Sequence, residues 1–397
     1  MRYSESATAM KEPRHICIVY DCLFPWTIGG AERWYRALAE RLAADGHRVT
    51  YLTMTQWDAD AEPDLPGIDV IAVAPRMSLY NDGKRRIAPP LRFGLGVLAH
   101  LIRHGRRYDV IHLCSFPYFA LLAAWAAQPF GRYRIVCDWF EIWSRDYWRD
   151  YLGRLGWVGW IIQHLCAKVR QRAQVFSRLH ETRLRDLGLR GIITYLPGLA
   201  QALPEGQRQP ARTPPTVVYA GRMIVEKRVS LLVDALAIAR RSVPDLRAIL
   251  FGNGPERATV EAQIAALGMA DTITLPGFVT ADVLDQAMRQ ALCIVQPSER
   301  EGYGLVVVEA STRGVPAIVV VGADNAAVEL VEDGINGCIA DPATPEALAA
   351  AILRIHSKGD AARHSVSAWF AANAERLSVE SSIKAVAASY SDQSRGR

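Results

Sequence analysis

The chain has 397 residues, half of them hydrophobic and 22% charged, with a formal net charge of +5. That balance excludes a wholly disordered or low-complexity protein, and the length exceeds one compact core, so two domains are expected. The charge is uneven: residues 1–200 carry 27 Lys+Arg against 19 Asp+Glu (+8), and the remainder carries 19 against 22 (−3).

The N-terminal stretch MRYSESATAMKEPRH lacks the apolar core of a signal peptide. The longest apolar run, FALLAAWAA at 119–127, is too short to span a bilayer, so an intracellular location is expected. HICIVYDCL (15–23) predicts a buried strand. Gly29-Gly30 then precede a helix with Trp34, Leu38 and Leu42 at four-residue spacing, which Gly46 ends. Further strands are predicted at 48–54, 69–74, 109–114 and 134–139, with helical segments around 91–104 and 118–127. This is a Rossmann-like half. Residues 193–216 read as a last strand running into a Pro- and Gln-rich connector.

The pattern then restarts. Strands are predicted at 216–222, 247–254, 272–278, 292–298 and 316–321, alternating with helices at 229–243, 256–268 and 282–291. The expected division is therefore 1–198, a linker at 199–215, a second domain at 216–375, and a terminal segment at 376–397. Two such α/β domains leave a cleft at the carboxyl ends of their parallel strands, where ligands bind. The seven cysteines have no CxxC spacing and mostly fall in strand-like contexts, so buried reduced thiols are expected. GNGPER (252–257) lacks the third glycine of a dinucleotide fingerprint, and no nicotinamide cofactor is expected.

The chemistry concentrates in EREGYGLVVVEASTRGVP (299–316). Gly302-Tyr303-Gly304 form a strand-to-helix turn, followed by a helix from about Leu305 to Thr312 that Gly314 and Pro316 stop. A helix N-terminus has unpartnered N–H groups and favours an anion. Glu309 lies a little over one turn inside and leans toward that end, where it suits neutral hydroxyls better than phosphate. Glu301 lies in the turn itself. Arg222 and Lys227 follow a strand at the same sheet edge and could clamp a diphosphate, neutralising leaving-group charge. A phosphate flanked by polyol hydroxyls describes a sugar nucleotide.

GRMIVEK, FGNGPER, LPGFV, PSEREGYGLVVVEASTRGVPAIV and ELVEDGINGCI occur in that order, after an N-terminal GGAER. This ordered set resembles the large retaining glycosyltransferase family called family four, or group 1, which has the two-domain GT-B fold. The resemblance covers essentially the whole chain and is stronger in its second half. It implies transfer of a sugar from a nucleotide-diphosphate-sugar to a glycan, lipid-linked or small-molecule acceptor, without metal or cofactor. Arg222 and Lys227 match the pair holding the donor diphosphate, and Glu301 the glutamate beside the transferred sugar. Glu309 matches the glutamate on the ribose, Gly302 to Leu305 the turn meeting the phosphates, and Phe278 and Val279 the backbone near the base. Gly29 and Gly30 match the acceptor-domain loop.

One departure is Phe140, where relatives often carry a functional histidine; Asp138 and Glu141 are the candidates for polar contacts there. His112 is expected to be structural. The departure leaves open a catalytically impaired subunit that binds a sugar nucleotide for a partner enzyme. A sugar phosphorylase or epimerase is a further alternative.

Nine of ten tryptophans precede residue 161, and residues 143–172 mix aromatics with arginines. This stretch reads either as a patch resting on anionic lipid at the inner membrane face or as a buried helix with solvated charges. The basic residues are dispersed and no nucleic-acid module occurs, so nucleic acid is not an expected partner.

Overall fold

The computed structural model describes residues 13–58, 61–81, 84–201 and 210–391. Part of the expected linker (202–209) and the last six residues of the terminal segment lie outside the described residues. Two parallel sheets organise the chain. The first holds β1 (His15–Val19), β2 (Arg48–Met54), β3 (Ile68–Ala74), β4 (Val110–Cys114), β5 (Arg134–Trp139), β6 (Arg172–Val175) and β7 (Ile193–Tyr195). Their spatial order is β3-β2-β1-β4-β5-β6-β7. The second holds β8 (Thr216–Ala220), β9 (Arg247–Phe251), β10 (Ile273–Gly277), β11 (Cys293–Gln296), β12 (Ala317–Val320) and β13 (Gly337–Ala340), in the order β10-β9-β8-β11-β12-β13.

The strand order reverses between β1 and β4 in the first sheet and between β8 and β11 in the second. These are the switch points at which α/β folds open a crevice. Strands such as TVVYA and AIVV are buried at every position, as expected where helices cover both faces of a parallel sheet.

The first domain carries α1 (Gly30–Ala44), α2 (Ala88–His104), α3 (Phe119–Ala127), α4 (Arg145–Leu152), α5 (Gly156–Lys168) and α6 (Arg178–Asp186). The second carries α7 (Val229–Ala239), α8 (Arg257–Ala266), α9 (Ala281–Arg289), α10 (Leu305–Thr312) and α11 (Pro345–Lys358), followed by α12 (Asp360–Leu377) and α13 (Val379–Ser391). Residues of α2, α3, α4 and α5 share one apolar core with β1, β4 and β5. The opposite face of that sheet is covered by α1 and α13. Its core runs on into the second domain through Tyr303, Val307, Val308 and Val319, so apolar packing is continuous across the boundary.

The chain returns to the first domain after α12. Ala200 N–H donates to the Leu377 carbonyl and Val379 N–H to the Ala200 carbonyl, each at 2.8 Å, and α13 then packs on α1. The anchor is polar and fully buried. Tyr390 OH lies 2.5 Å from His112 Nδ1, and His112 Nε2 lies 2.8 Å from Asp138 Oδ1. Trp34 Nε1 donates to the other Asp138 oxygen at 2.8 Å. His112 is thus a structural residue.

One predicted strand is shorter than expected, and one strand is not predicted from sequence. The apolar run from Ile16 stays buried to Leu23, but the ladder ends at Val19 and the chain turns, closed by Thr27 N–H to the Leu23 carbonyl at 3.0 Å. Strand β6, RAQV, has no apolar run to betray it, because Gln174 is buried in its middle. All seven cysteines are buried and none forms a disulfide, in keeping with the reduced-thiol expectation. Among the described residues, no helix is long and apolar enough to cross a membrane.

Candidate active site

The residues following β8 and β11 flank the switch point of the second sheet. Arg222 is exposed just beyond β8, and Lys227 ends a short 3-10 turn, Val225–Lys227, before α7. Lys227 Nζ donates to Glu301 Oε1 at 2.5 Å, and Ser298 Oγ donates to the same oxygen at 2.8 Å. The two loops are also stitched by Glu299 N–H to the Glu226 carbonyl at 2.9 Å. The structure therefore brings Lys227 and Glu301 together, with side chains 18% and 16% exposed.

The turn into α10 needs glycine at 304. Gly304 has φ +101°, and a Cβ there would lie 2.6 Å from the Ala327 Cβ. Tyr303 faces the other way: its ring is buried and its hydroxyl donates to the Pro197 carbonyl at 2.5 Å. Only its backbone is left to meet a ligand. Helix α10 spans Leu305–Thr312, the predicted limits.

Helix α1 begins opposite it. A Cβ at Gly30, the first residue of α1, would touch Leu305 Cδ2 at 3.6 Å, and neither helix has a side-chain cap. Two uncapped helix N-termini thus converge from different domains beside the Lys227 loop. Both contribute N–H groups without side-chain caps and positive dipole ends that favour an anion, fully at α10 and in part at α1, where the Glu32 carboxylate folds back against Gly29.

Glu309, one turn into α10, does not stand alone. Arg33 Nη1 of α1 donates to its Oε1 at 3.2 Å across the domain boundary. Burial raises the pKa of this carboxyl, while Arg33 and Arg313 pull it back down. Arg313 in turn reaches Asp285 at 2.6 Å and the Glu309 carbonyl at 2.6 Å, which fixes the end of α10.

The domain boundary holds a second cluster. Arg300 Nη1 pairs with Glu141 Oε2 at 2.5 Å, and its guanidinium lies 4.0 Å from the Tyr147 ring and 5.0 Å from the Trp143 ring. Tyr147 OH donates to Glu226 Oε1 at 2.9 Å. Glu329 accepts from Arg178 N–H and Leu179 N–H at 2.7 and 2.8 Å, capping α6 from the other domain. Gly302 sits against this cluster, since a Cβ there would lie 2.6 Å from the Phe140 carbonyl oxygen. Phe140 itself stacks on Phe176 at 4.4 Å.

Next to it His180 Nε2 is buried without a partner among the described residues. Burial first and then Arg183 hold the His180 pKa down to about 3 from 6.5, with Asp324 opposing them and Arg300 adding a smaller downward push. The unfolded chain takes up this proton near pH 6.5 and the folded one does not. Stability from the neutral ring is therefore full above that pH and lost as pH falls toward 3. A His180→Gln variant should show a shallower fall in unfolding midpoint between pH 6.5 and 4 than the wild type.

Asp138 requires correction. It is fully buried beneath α1 and α13, with both oxygens engaged by Trp34 and His112, so it offers nothing to the cleft. Glu141 does reach the boundary, and Gly29 occupies the position before Gly30 at the start of α1, where no side chain caps the helix. Phe278 points outward, 77% exposed, while Val279 packs against the core of the second domain. Arg33, Arg300, Tyr147 and Glu226 were not foreseen. For Arg33 the signal was present in GGAER; the others depend on contacts between distant segments. Among the described residues no cluster of three His, Cys, Asp or Glu could hold a metal.

Within 143–172 the aromatics divide. Trp143 and Trp148 are buried, so α4 is not a surface patch. Helix α5 instead exposes Trp157, Ile161 and Leu165, with Leu155 just before it. Helix α2 exposes Leu91, Leu95 and Ile102, and α3 exposes Trp125. These three helices cover the same sheet face, and α3 and α5 meet where Tyr118 OH donates to Gln163 at 2.8 Å.

Comparison with known proteins agrees with this geometry. The family profile described as Glycosyl transferases group 1 matches residues 205–368, and that described as Glycosyltransferase Family 4 matches residues 28–197. Over 141 residues the chain is 31% identical to the alpha-D-kanosaminyltransferase of Streptomyces kanamyceticus, covering 36% of each protein. Over 164 residues it is 31% identical to the GDP-mannose-dependent alpha-(1-6)-phosphatidylinositol monomannoside mannosyltransferase of Mycolicibacterium smegmatis, covering 38% of this chain and 42% of that one. The matches thus span about two fifths of those relatives' length. The structure of Anabaena HepE in complex with UDP and glucose superimposes with a TM-score of 0.72 at 20% identity, covering 96% of this chain and 100% of that one. With both domains matched in sequence and the two-domain architecture matched in space, the chain belongs to the group 1 glycosyltransferases of family 4 and has the GT-B fold.

Proposed function

We propose that this protein transfers a sugar, with retention of anomeric configuration and without metal, from a nucleotide-diphosphate-sugar to a hydroxyl of a glycan or lipid-linked acceptor. The observation that carries the reading is the meeting of two uncapped helix N-termini, from α1 and α10, beside the Lys227–Glu301 pair. A diphosphate at that point gains two helix dipoles, and Lys227 neutralises charge as the leaving group departs. Glu309 accepts from ribose hydroxyls, and Glu301 lies beside the transferred sugar. Arg222 completes the diphosphate clamp, Gly302 to Leu305 supply backbone amides, and the base lies along the backbone of Phe278 and Val279. A relative named for UDP and glucose binding and others named for kanosaminyl and mannosyl transfer support a nucleotide-sugar donor.

The acceptor comes from the first domain, past Gly29, Gly30 and Glu141. The exposed apolar residues of α2, α3 and α5 are neighboured in sequence by the exposed Arg103, Arg106 and Arg154, a combination suited to an anionic membrane surface. A lipid-linked acceptor at the inner face of a membrane fits that surface, as does the phosphatidylinositol substrate in the name of one relative. The test is turnover of UDP- and GDP-sugars by the purified protein with lipid extract as acceptor, scoring nucleoside diphosphate release and product anomer. Release with a product of the donor's configuration supports the reading. Donor binding without turnover supports the subunit that the Phe140–Phe176 stack, in place of a histidine, would also suit.

A further inference from the structure

Glu309 is half-buried, and its carboxylate is held from the opposite domain. Its side-chain partner is Arg33 on α1, 276 residues away in sequence, at 3.2 Å. Both line one pocket at the domain boundary, with Gly30, Leu305, Thr312 and Arg313. Arg33 donates to Oε1, so Oε2 remains for donors from a ligand. A carboxylate accepts from two hydroxyls only when it is ionised and oriented, and a cation beside it secures both.

From this geometry we infer that Arg33 is a positioning residue of the donor pocket: the acceptor-binding domain completes the ribose site by holding the Glu309 carboxylate in place. The inference rests on the donor-site reading above and adds what that reading lacks, a physical link between the domains within the donor pocket. The charged groups facing Glu309 are Arg33 from α1, Arg313 at the end of its own helix and Asp285 from α9. Arg313 is engaged by Asp285, which leaves Arg33 as the cation bonded to the carboxylate itself.

The test is calorimetric titration of the full chain with UDP-glucose and with GDP-mannose, whose diphosphate diesters carry no group titrating between pH 5 and 8. Wild type, Arg33→Ala, Arg33→Lys, Glu309→Ala and the double alanine variant are compared at pH 7.5 and 5.5. We expect Arg33→Ala to weaken the better ligand at least tenfold and Arg33→Lys to recover most of that loss. The double variant should bind no more weakly than Glu309→Ala alone. Affinity of Arg33→Ala should fall more between pH 7.5 and 5.5 than that of wild type, because burial raises the Glu309 pKa and the Arg33 cation that opposes it is gone. Arg33 is partly exposed, so the fold should survive, and the lysine variant controls for it. Arg33→Ala binding within twofold of wild type, or tighter than it, while Glu309→Ala has lost binding, overturns the inference alone. So do strictly additive losses, which place Arg33 on the ligand rather than on Glu309. If wild type binds neither donor, the donor-site reading fails first.

Discussion

Replacing Lys227 by alanine should lower sugar transfer by about two to three orders of magnitude, the scale seen when one preorganised charge-stabilising donor is removed. The effect has two sources in the structure. Lys227 is the cation bonded to Glu301, in a site where both side chains are largely withdrawn from water. Its loss leaves that carboxylate with Ser298 as its remaining partner and places uncompensated negative charge next to a departing diphosphate. Single-turnover kinetics should show the loss in the transfer step more than in donor affinity, because charge grows only as the bond breaks. Lys227→Arg should retain part of the rate. A fall of less than fivefold in the alanine variant would place the charge stabilisation elsewhere, on Arg222 or the helix termini.

Asp138→Ala should destabilise the protein by about 2–6 kcal/mol, since two buried donors lose their acceptor at about 1–3 kcal/mol each. Asp138 is fully buried and accepts from both Trp34 and His112 at 2.8 Å. Alanine leaves two buried donors without partners and opens a void under α1. His112 also meets Tyr390, so the same change loosens α13 from the first domain. Asp138→Asn keeps one acceptor and should cost less. Urea unfolding followed by tryptophan fluorescence checks the ordering wild type, asparagine, alanine. An alanine variant within 1 kcal/mol of wild type would remove this network as the anchor of the terminal helix.

These two residues also show what could be read from sequence. The neighbourhood of Lys227 and Glu301 was legible because local signals specify it: a strand, a Gly-Tyr-Gly turn, a short apolar helix, and Gly314 with Pro316 as the stop. That is why α10 was found with its limits correct. Asp138 was misplaced because a polar residue near the carboxyl end of a strand resembles a cleft residue. Whether it faces solvent depends on what covers the sheet, and here α1 and a helix some 250 residues away cover it. Arg33 lies in the GGAER motif, but its pairing with Glu309, like that of Arg300 with Tyr147, joins segments whose proximity exists only once the domains are packed. Within 143–172 composition marks the aromatics but not their facing, which puts Trp148 inside and Trp157 outside.

The central claim is that α10 and the loops beside it form a nucleotide pocket. It is tested most directly by thermal unfolding of wild type and Glu309→Ala with UDP, GDP, ADP and dTDP, each added singly. A ligand at one hundred times its dissociation constant adds about 2.7 kcal/mol to stability. The account predicts that one nucleotide raises the wild-type midpoint and that Glu309→Ala loses the shift, which would also name the base. No shift with any of the four, or a shift that Glu309→Ala retains in full, would contradict it.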